Sequence, residues 1–468
     1  MAPSTSFLFC LQLFSIISIS TGNRIFDVVI IGAGPAGIAA AIDLGKASSS
    51  ISMTILEARN RVGGRVSTDT HTFTGDVSVD IGAEWIHAYG PNNPLYSLHR
   101  QLQTNEDKRG DDYFDFFEPE VTGCYDTTSS IVSSQICLGA QQTMNKLFSP
   151  KYNATLKLRD VSVWDMIRSE YEKIPEGQLK RLVDAMLIGK EEYEAADLNR
   201  ISARQHFFGD SPGDDEEERG EDMALKRGYG SLIQRIVERF ALPIQLNTQV
   251  TRIVTSASNR AQILTKNGET IQAKYILITV PLGCLKQETI SFEPSLPQWK
   301  QNVIDAMGFG DTDKIILQFD KTFWDSKLTT FYIAGASYPF TVSAPKKRIL
   351  EFMIGGTRAR RMEASKDENT IATILNDLKR AFPNQNFKLE RYRISRWTAD
   401  PYARGSYSYY AFNTSLETFE TLARECCYNQ LFWAGEHTSS GGSVHTAFAT
   451  GQREAKKILQ RFENKLNY

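Results

Sequence analysis

Charge of one sign, long apolar runs and metal-type spacing are all missing from this chain, and each absence removes a class of function. Lysine plus arginine (53) nearly balances aspartate plus glutamate (55), giving a formal net charge of −2. Such a balance provides no general nucleic-acid or anionic-lipid surface. No stretch reaches the ~20 apolar residues that span a bilayer. The six cysteines lack zinc-type spacing, so no metal is expected. Internal repeats and low-complexity linkers are absent as well. The 41% hydrophobic and 23% charged content is that of an ordinary globular protein, and 468 residues suffice for two sizeable lobes.

What is present is concentrated between residues 27 and 65. The apolar run Asp27-Val-Val-Ile-Ile-Gly32 reads as a buried parallel strand, and Gly32-Ala-Gly34-Pro-Ala36-Gly37 opens an alanine-rich helix. A second strand, Ser52 to Glu57, ends on an acid 20 residues past Gly37. Gly32 permits the tight turn, Gly34 lets backbone amides approach a pyrophosphate, and Gly37 lets helix and strand pack closely. The positive helix end favours phosphate, and Glu57 is placed to accept from ribose hydroxyls. A glycine-rich turn without ligand would explain the glycines but not Glu57. The next segment, Ala58-Arg-Asn-Arg-Val-Gly63-Gly64-Arg65, adds a second glycine pair and a cation. It can fold back over the pyrophosphate, which suits a permanently held flavin better than an exchanging nicotinamide.

The run Glu57-Ala-Arg-x-Arg-x-Gly-Gly-Arg65 resembles the flavin-containing amine oxidase family. Asp80-Ile-Gly-Ala83-Glu84-Trp85-Ile-His87 is similar to the stretch that lines the flavin there. Trp433-Ala-Gly-Glu436 through Val444 to Gly451 resembles its C-terminal flavin motif. The resemblance runs from about residue 24 to about residue 462 and implies bound FAD. It places Gly32, Gly34, Ala36, Gly37, Glu57, Arg65, Ala83, Glu84, Trp85, Val250, Glu436 and Val444 at the cofactor, with Val250 receiving the adenine through its backbone. The fold class expected is α/β: a Rossmann-like FAD-binding domain of discontinuous segments plus a mixed-sheet α+β substrate domain. The flavin domain is expected at 23–105, 226–300 and 406–468, and the substrate domain at 106–225 and 301–405.

Oxidation of an amine by a flavin requires a C–H bond set against the ring and an uncharged nitrogen. By position alone, Lys314 at the head of an alternating strand is a solvated lysine. The resemblance instead makes it the lysine that holds a water beside the flavin ring. Tyr407, in the segment that begins near Trp397, matches one face of an aromatic sandwich. The other face falls at Ser443, a small residue as in animal spermine and acetylpolyamine oxidases. His87 matches a histidine that contacts the polyamine chain, and Asp197 approximates a tunnel acid; Glu84 and Trp397 join them as substrate contacts. The acidic run Asp214-Asp-Glu-Glu-Glu218 with Glu221-Asp222 reads as a solvated loop, or as a collector of polycations at the tunnel mouth.

The leading expectation is an FAD-dependent oxidase of spermine, spermidine or acetylated forms, using oxygen and with no nucleic-acid partner. An L-amino-acid oxidase is the alternative and would need an inward arginine; Arg358, Arg360 and Arg361 lie in a polar, helix-like run. A non-catalytic flavin-binding protein is a second alternative. Ser6 to Ile19 with Ser18-Ile-Ser20 resembles a signal peptide of residues 1–20, although a basic n-region is missing. Secretion would make Asn153-Ala-Thr and Asn413-Thr-Ser glycosylation acceptors. Cys124 and Cys137 are the candidate disulfide, leaving Cys284 and the adjacent Cys426 and Cys427 as thiols. Oligomeric state is left open.

Overall fold

The computed structural model describes residues 24–103, 112–114, 122–128, 132–149, 159–208 and 222–466. The expected leader, the Asn153 acceptor, and the acidic run from Asp214 to Glu218 with Glu221 lie outside those residues. Asp222 does not belong to a solvated loop. It starts the strand Asp222–Ala224, which pairs with Trp85–Ile86 and Asp112–Phe114 in a small antiparallel sheet.

The apolar run at the amino end forms the strand Arg24–Ile31, flanked by the parallel strands Thr270–Ile278 and Met53–Leu56. Neighbours on both edges and helices on the faces explain its unbroken Val/Ile composition. Met53–Leu56 is followed by Ile244–Gln245, and Thr270–Ile278 continues through Ala261–Thr265 and Val250–Val254 to Ser291–Glu293. Leu431–Trp433 also joins Thr270–Ile278 in parallel, so the C-terminal motif starts from the same sheet as the N-terminal glycine turn. The strand Val250–Val254 is preceded by a turn in which Asn247 takes φ +56.

The second sheet runs Leu389–Ile394, Thr312–Phe319, Ile349–Gly355, Phe340–Ala344, Thr330–Ala334 and Thr122–Asp126. One face, carrying Ile315, Leu317, Phe331, Phe352 and Ile354, packs into an apolar core with Ile371, Ile374 and Leu378 of the helix Asp367–Ala381. The opposite face carries Thr312, Lys314, Glu351, Met353, Phe340 and Tyr332, under the helix Gln178–Tyr193. Cys124 and Cys137 form the expected disulfide with Cα atoms 5.8 Å apart, tying a strand to the helix Ser134–Leu147.

The helix Pro35–Ala47 packs along the C-terminal helix Val444–Leu466. Their approach is limited by backbone: a Cβ at Gly451 would lie 2.0 Å from the Ala36 carbonyl oxygen. Gly451→Ala must therefore separate the helices that frame the glycine turn. It is expected to lower stability by about 1–3 kcal/mol in denaturant unfolding, and an unchanged midpoint would contradict this packing.

Candidate active site

The glycine turn is built to leave room. Gly32 adopts φ +108, and a Cβ there would strike the Thr279 hydroxyl at 2.6 Å, whereas a Cβ at Gly34 would meet nothing within 4 Å. The helix that follows has no side-chain cap and no acid in its first turn. Its leading amides and positive dipole therefore face the open side of Gly34, as a pyrophosphate requires. Glu57 is held rigid by the amides of Ala33 and Arg59, both at 2.8 Å. The Gly63 amide donates to the Ala33 carbonyl at 2.8 Å, so the second glycine pair does fold back on the first. These residues fit the ADP half of a dinucleotide.

Arg65 reaches across to the C-terminal motif. Its guanidinium donates to Glu436 at 2.9 Å and to the Ser406 carbonyl at 2.5 Å. Glu436 also accepts from the Ser408 amide and hydroxyl at 3.1 and 2.6 Å. Burial would raise the Glu436 pKa, but Arg65, His437 and Ser408 together hold it below the usual range. The pair thus clasps the N-terminal and C-terminal motifs. Ala36 and Val250 are buried in helix and strand, Val444 starts the C-terminal helix, and Ala83 is fixed by its amide on the Arg65 carbonyl.

Lys314 lies inside the protein with only 5% of its surface exposed. Its Nζ donates to Glu84 at 2.5 Å and to the Asp80 carbonyl at 3.2 Å, stands 3.3 Å from Glu351, and is 5.3 Å from the centre of the Trp85 ring. Burial alone would depress the ammonium, but Glu84, Glu351 and Asp80 outweigh it and raise the pKa. Asp80, Glu351 and Glu192 are raised as well. Burial lifts Asp80 to about 7 against its Thr68 hydrogen bond, and lifts Glu351 to about 7 with Glu84 adding repulsion. Glu192, buried on the same side, is lifted to about 8 by desolvation, with Lys314 the only opposing influence.

The Tyr407 hydroxyl donates to the carbonyls of Glu192 and Tyr193 at 3.0 and 2.9 Å and accepts from Thr312 at 3.4 Å. Thr312 and Lys314 are successive residues on one strand face, so Tyr407 is brought to within a strand repeat, ~7 Å, of the lysine's position. Tyr332 and Phe340, with ring centroids 5.2 Å apart, pack with Met353, Val342 and Trp85 on that face. Ser443 supplies no aromatic; Trp85 stands beside Lys314 instead, and Phe340 and Tyr332 lie farther along the same sheet face, two and three strands from the lysine.

Other expected contacts have structural occupations. Asp197 accepts from the Thr357 amide at 2.8 Å and from its hydroxyl, so it caps the helix Gly356–Glu363. Trp397 is buried, with its Nε1 donating to the Ile81 carbonyl at 3.2 Å, and so buttresses the 80–85 segment from behind. His87 is half-exposed and pairs through Nδ1 with Asp222 at 2.8 Å. Ser443 bonds His445 Nδ1 at 2.9 Å, and burial takes that ring down to about 4.

A family model described as flavin containing amine oxidoreductase matches residues 35–459. The chain belongs to that family. It is 30% identical to a probable polyamine oxidase of Arabidopsis thaliana over 93% of this chain and 87% of that one. It is 28% identical to a human lysine-specific histone demethylase over 92% of this chain and 53% of the relative. A solved putrescine oxidase bound to putrescine superposes with TM-score 0.70 at 21% identity, covering 94% of this chain and all of that one. As a member of the flavin-containing amine oxidoreductases, the chain is a flavin-dependent amine oxidase with FAD as its cofactor.

Within this family member, the residues missed from sequence are Glu192, Glu351, Tyr332 and Phe340. The signal for Glu351 was available: a lone acid in the apolar strand Ile-Leu-Glu-Phe-Met-Ile-Gly, all seven residues of which are buried. Glu192 sits in a helix whose charged residues otherwise look solvated, and only the tertiary fold buries it. Its folded pKa of about 8 exceeds the ordinary 4.5, so the folded state binds the extra proton between those values. Its contribution to stability is complete below about pH 4.5 and is lost as pH rises through about 8. Glu192→Gln should flatten that decline by up to about 1.4 kcal/mol per pH unit in denaturant titrations. Parallel pH profiles for variant and parent would contradict the buried, protonated state.

Proposed function

We propose that this amine oxidase acts on polyamines such as spermine, spermidine or their acetylated forms, at the carbon beside a secondary amine. The observation that carries the reading is the acid-rich buried face: Glu84, Glu351, Asp80 and Glu192 gather around the buried ammonium of Lys314. A flexible chain with several ammonium groups complements this face, its nitrogens near the acids and its methylenes along Tyr332, Phe340 and Met353. Among the described residues no arginine is aimed at such a position. Arg360 pairs with Asp311 at 2.7 Å, and Arg358 and Arg361 are exposed on the same helix. A substrate carboxylate would therefore find acids and no arginine there, with Lys314 already paired to Glu84 and Glu351, which disfavours an amino-acid oxidase.

When bound, FAD supplies the two-electron oxidation of the carbon–nitrogen bond and returns the electrons to oxygen as hydrogen peroxide. Gly34, Glu57, the Gly63-Gly64 turn and Glu436 would hold it. Glu192, raised to about 8, is placed to exchange a proton with the substrate nitrogen, and only its carboxylate form, which grows as pH rises toward 8, can accept one from an ammonium. Lys314 keeps its protons on Nζ and donates to Glu84 and the Asp80 carbonyl, which holds the 80–85 segment against the sheet face. The oxidised carbon–nitrogen bond then hydrolyses to an aldehyde and a shorter amine. The discontinuous domain division and a secretory destination belong to the same reading, the latter supported by the Cys124–Cys137 disulfide.

The test is product identification by mass spectrometry with spermine, spermidine, their acetyl forms and leucine. An aldehyde and a shortened amine from a polyamine, with leucine untouched, is the expected result; a keto acid from leucine would overturn it. Lys314→Met should keep the flavin colour and lose about 10²–10³-fold in turnover. Turnover within twofold of the parent, roughly, would remove Lys314 from the mechanism.

A further inference from the structure

Cys426 and Cys427 read from sequence simply as adjacent thiols, but the fold brings their sulfurs into contact. Their Sγ atoms are 3.0 Å apart, with the Cys427 thiol donating to Cys426. Cys426 and Leu431 exchange backbone hydrogen bonds at 3.2 and 3.3 Å, closing a tight turn. Inside that turn Cys427, Tyr428 and Asn429 take φ values of +57, +60 and +56, three successive left-handed residues with no glycine. Such conformations persist only where the surroundings impose them. Cys426 is buried, Cys427 is partly exposed, and Tyr428 is 57% exposed at the tip.

The charge next to the pair is unusual. Lys300 is fully buried and donates to the carbonyls of Leu422 and Arg424, both at 2.6 Å. Its Nζ stands 4.6 Å from the Trp433 ring centre and 4.9 Å from that of Trp299. Among the described residues it forms no ion pair with a carboxylate. The hydrogen bond from Cys427, opposed by burial and reinforced by Lys300, holds the Cys426 thiol below its ordinary pKa.

We propose that Cys426–Cys427 is a reversible oxidation site, closed to a vicinal disulfide by hydrogen peroxide. The Cys426 thiolate attacks one peroxide oxygen and the O–O bond breaks. Hydroxide leaves, is protonated to water, and a sulfenic acid remains on Cys426. The Cys427 sulfur then attacks that sulfur; the S–O bond breaks, a second water leaves with the thiol proton, and the S–S bond forms. In sum, two thiols lose two electrons and two protons to one peroxide, giving a disulfide and two waters. The resolving sulfur is already in contact, so closure outruns further oxidation. Adjacent Cα atoms are held ~3.8 Å apart, below the usual ~4.4–6.8 Å of disulfides, so the ring is strained and readily reduced again.

The inference is independent of the amine substrate, because its test supplies the peroxide. Holoenzyme is reduced, desalted, exposed to graded hydrogen peroxide, then denatured, alkylated and mapped by mass spectrometry. The peptide carrying both cysteines should become unalkylated and lighter by two hydrogens, and should regain both labels after a dithiol, while Cys284 stays labelled. Cys427→Ser should instead leave a sulfenic acid on Cys426 that a dimedone-type probe traps. Lys300→Met should slow closure about tenfold. The proposal fails if both thiols stay labelled at peroxide levels that oxidise free cysteine, or if sulfinic and sulfonic acids form with no disulfide. Those two outcomes are read on the unsubstituted protein, whatever the variants do.

Discussion

A single ammonium buried among carboxylates is the constraint around which the rest of the molecule is arranged. Lys314 occupies a strand whose eight residues are all buried, and no solvent can balance its charge there. Its partners come from three separate stretches: Glu84 and the Asp80 carbonyl beside the flavin sheet, Glu351 from the neighbouring strand, and Glu192 from the overlying helix. Removing one member of such a set leaves another charge uncompensated, so the acids and the lysine stand or fall together. The set also ties the 80–85 segment, which runs between two small strand pairings, to the second sheet that carries the lysine.

The Arg65–Glu436 pair plays the matching role for the cofactor domain. It joins motifs 371 residues apart in the chain, and the close crossing of Gly451 on Ala36 holds their helices in register behind it. Both contacts are products of chain closure. The N-terminal motif can form a strand, turn and helix by local preference, but its second half has a fixed position only when the C-terminal strand Leu431–Trp433 has entered the sheet.

That distinction explains what the sequence made legible. The glycine turn, the acid at 57, the second glycine pair and the Cys124–Cys137 bridge depend on local backbone requirements or short loops, and residue type reports these directly. The burial of Lys314 followed from resemblance, because a lysine heading an alternating strand looks solvated until its partners are known. Side-chain targets set by tertiary closure were not legible. Asp197 proves to cap a helix at Thr357, Trp397 braces Ile81, and Asp222 leaves the acidic loop to pair with His87. Glu192 comes to the lysine's face only because the helix Gln178–Tyr193 lies across the second sheet, and Tyr332 and Phe340 share that face only through strand pairing.

The most direct measurement is anaerobic mixing of the purified protein with spermine while the visible flavin absorbance is followed. A yellow protein that bleaches with spermine, keeps its colour with leucine, and recovers on admission of oxygen is the predicted result. A colourless protein, or a yellow one that no polyamine bleaches, would contradict the assignment of the Lys314 acid cluster as a polyamine site.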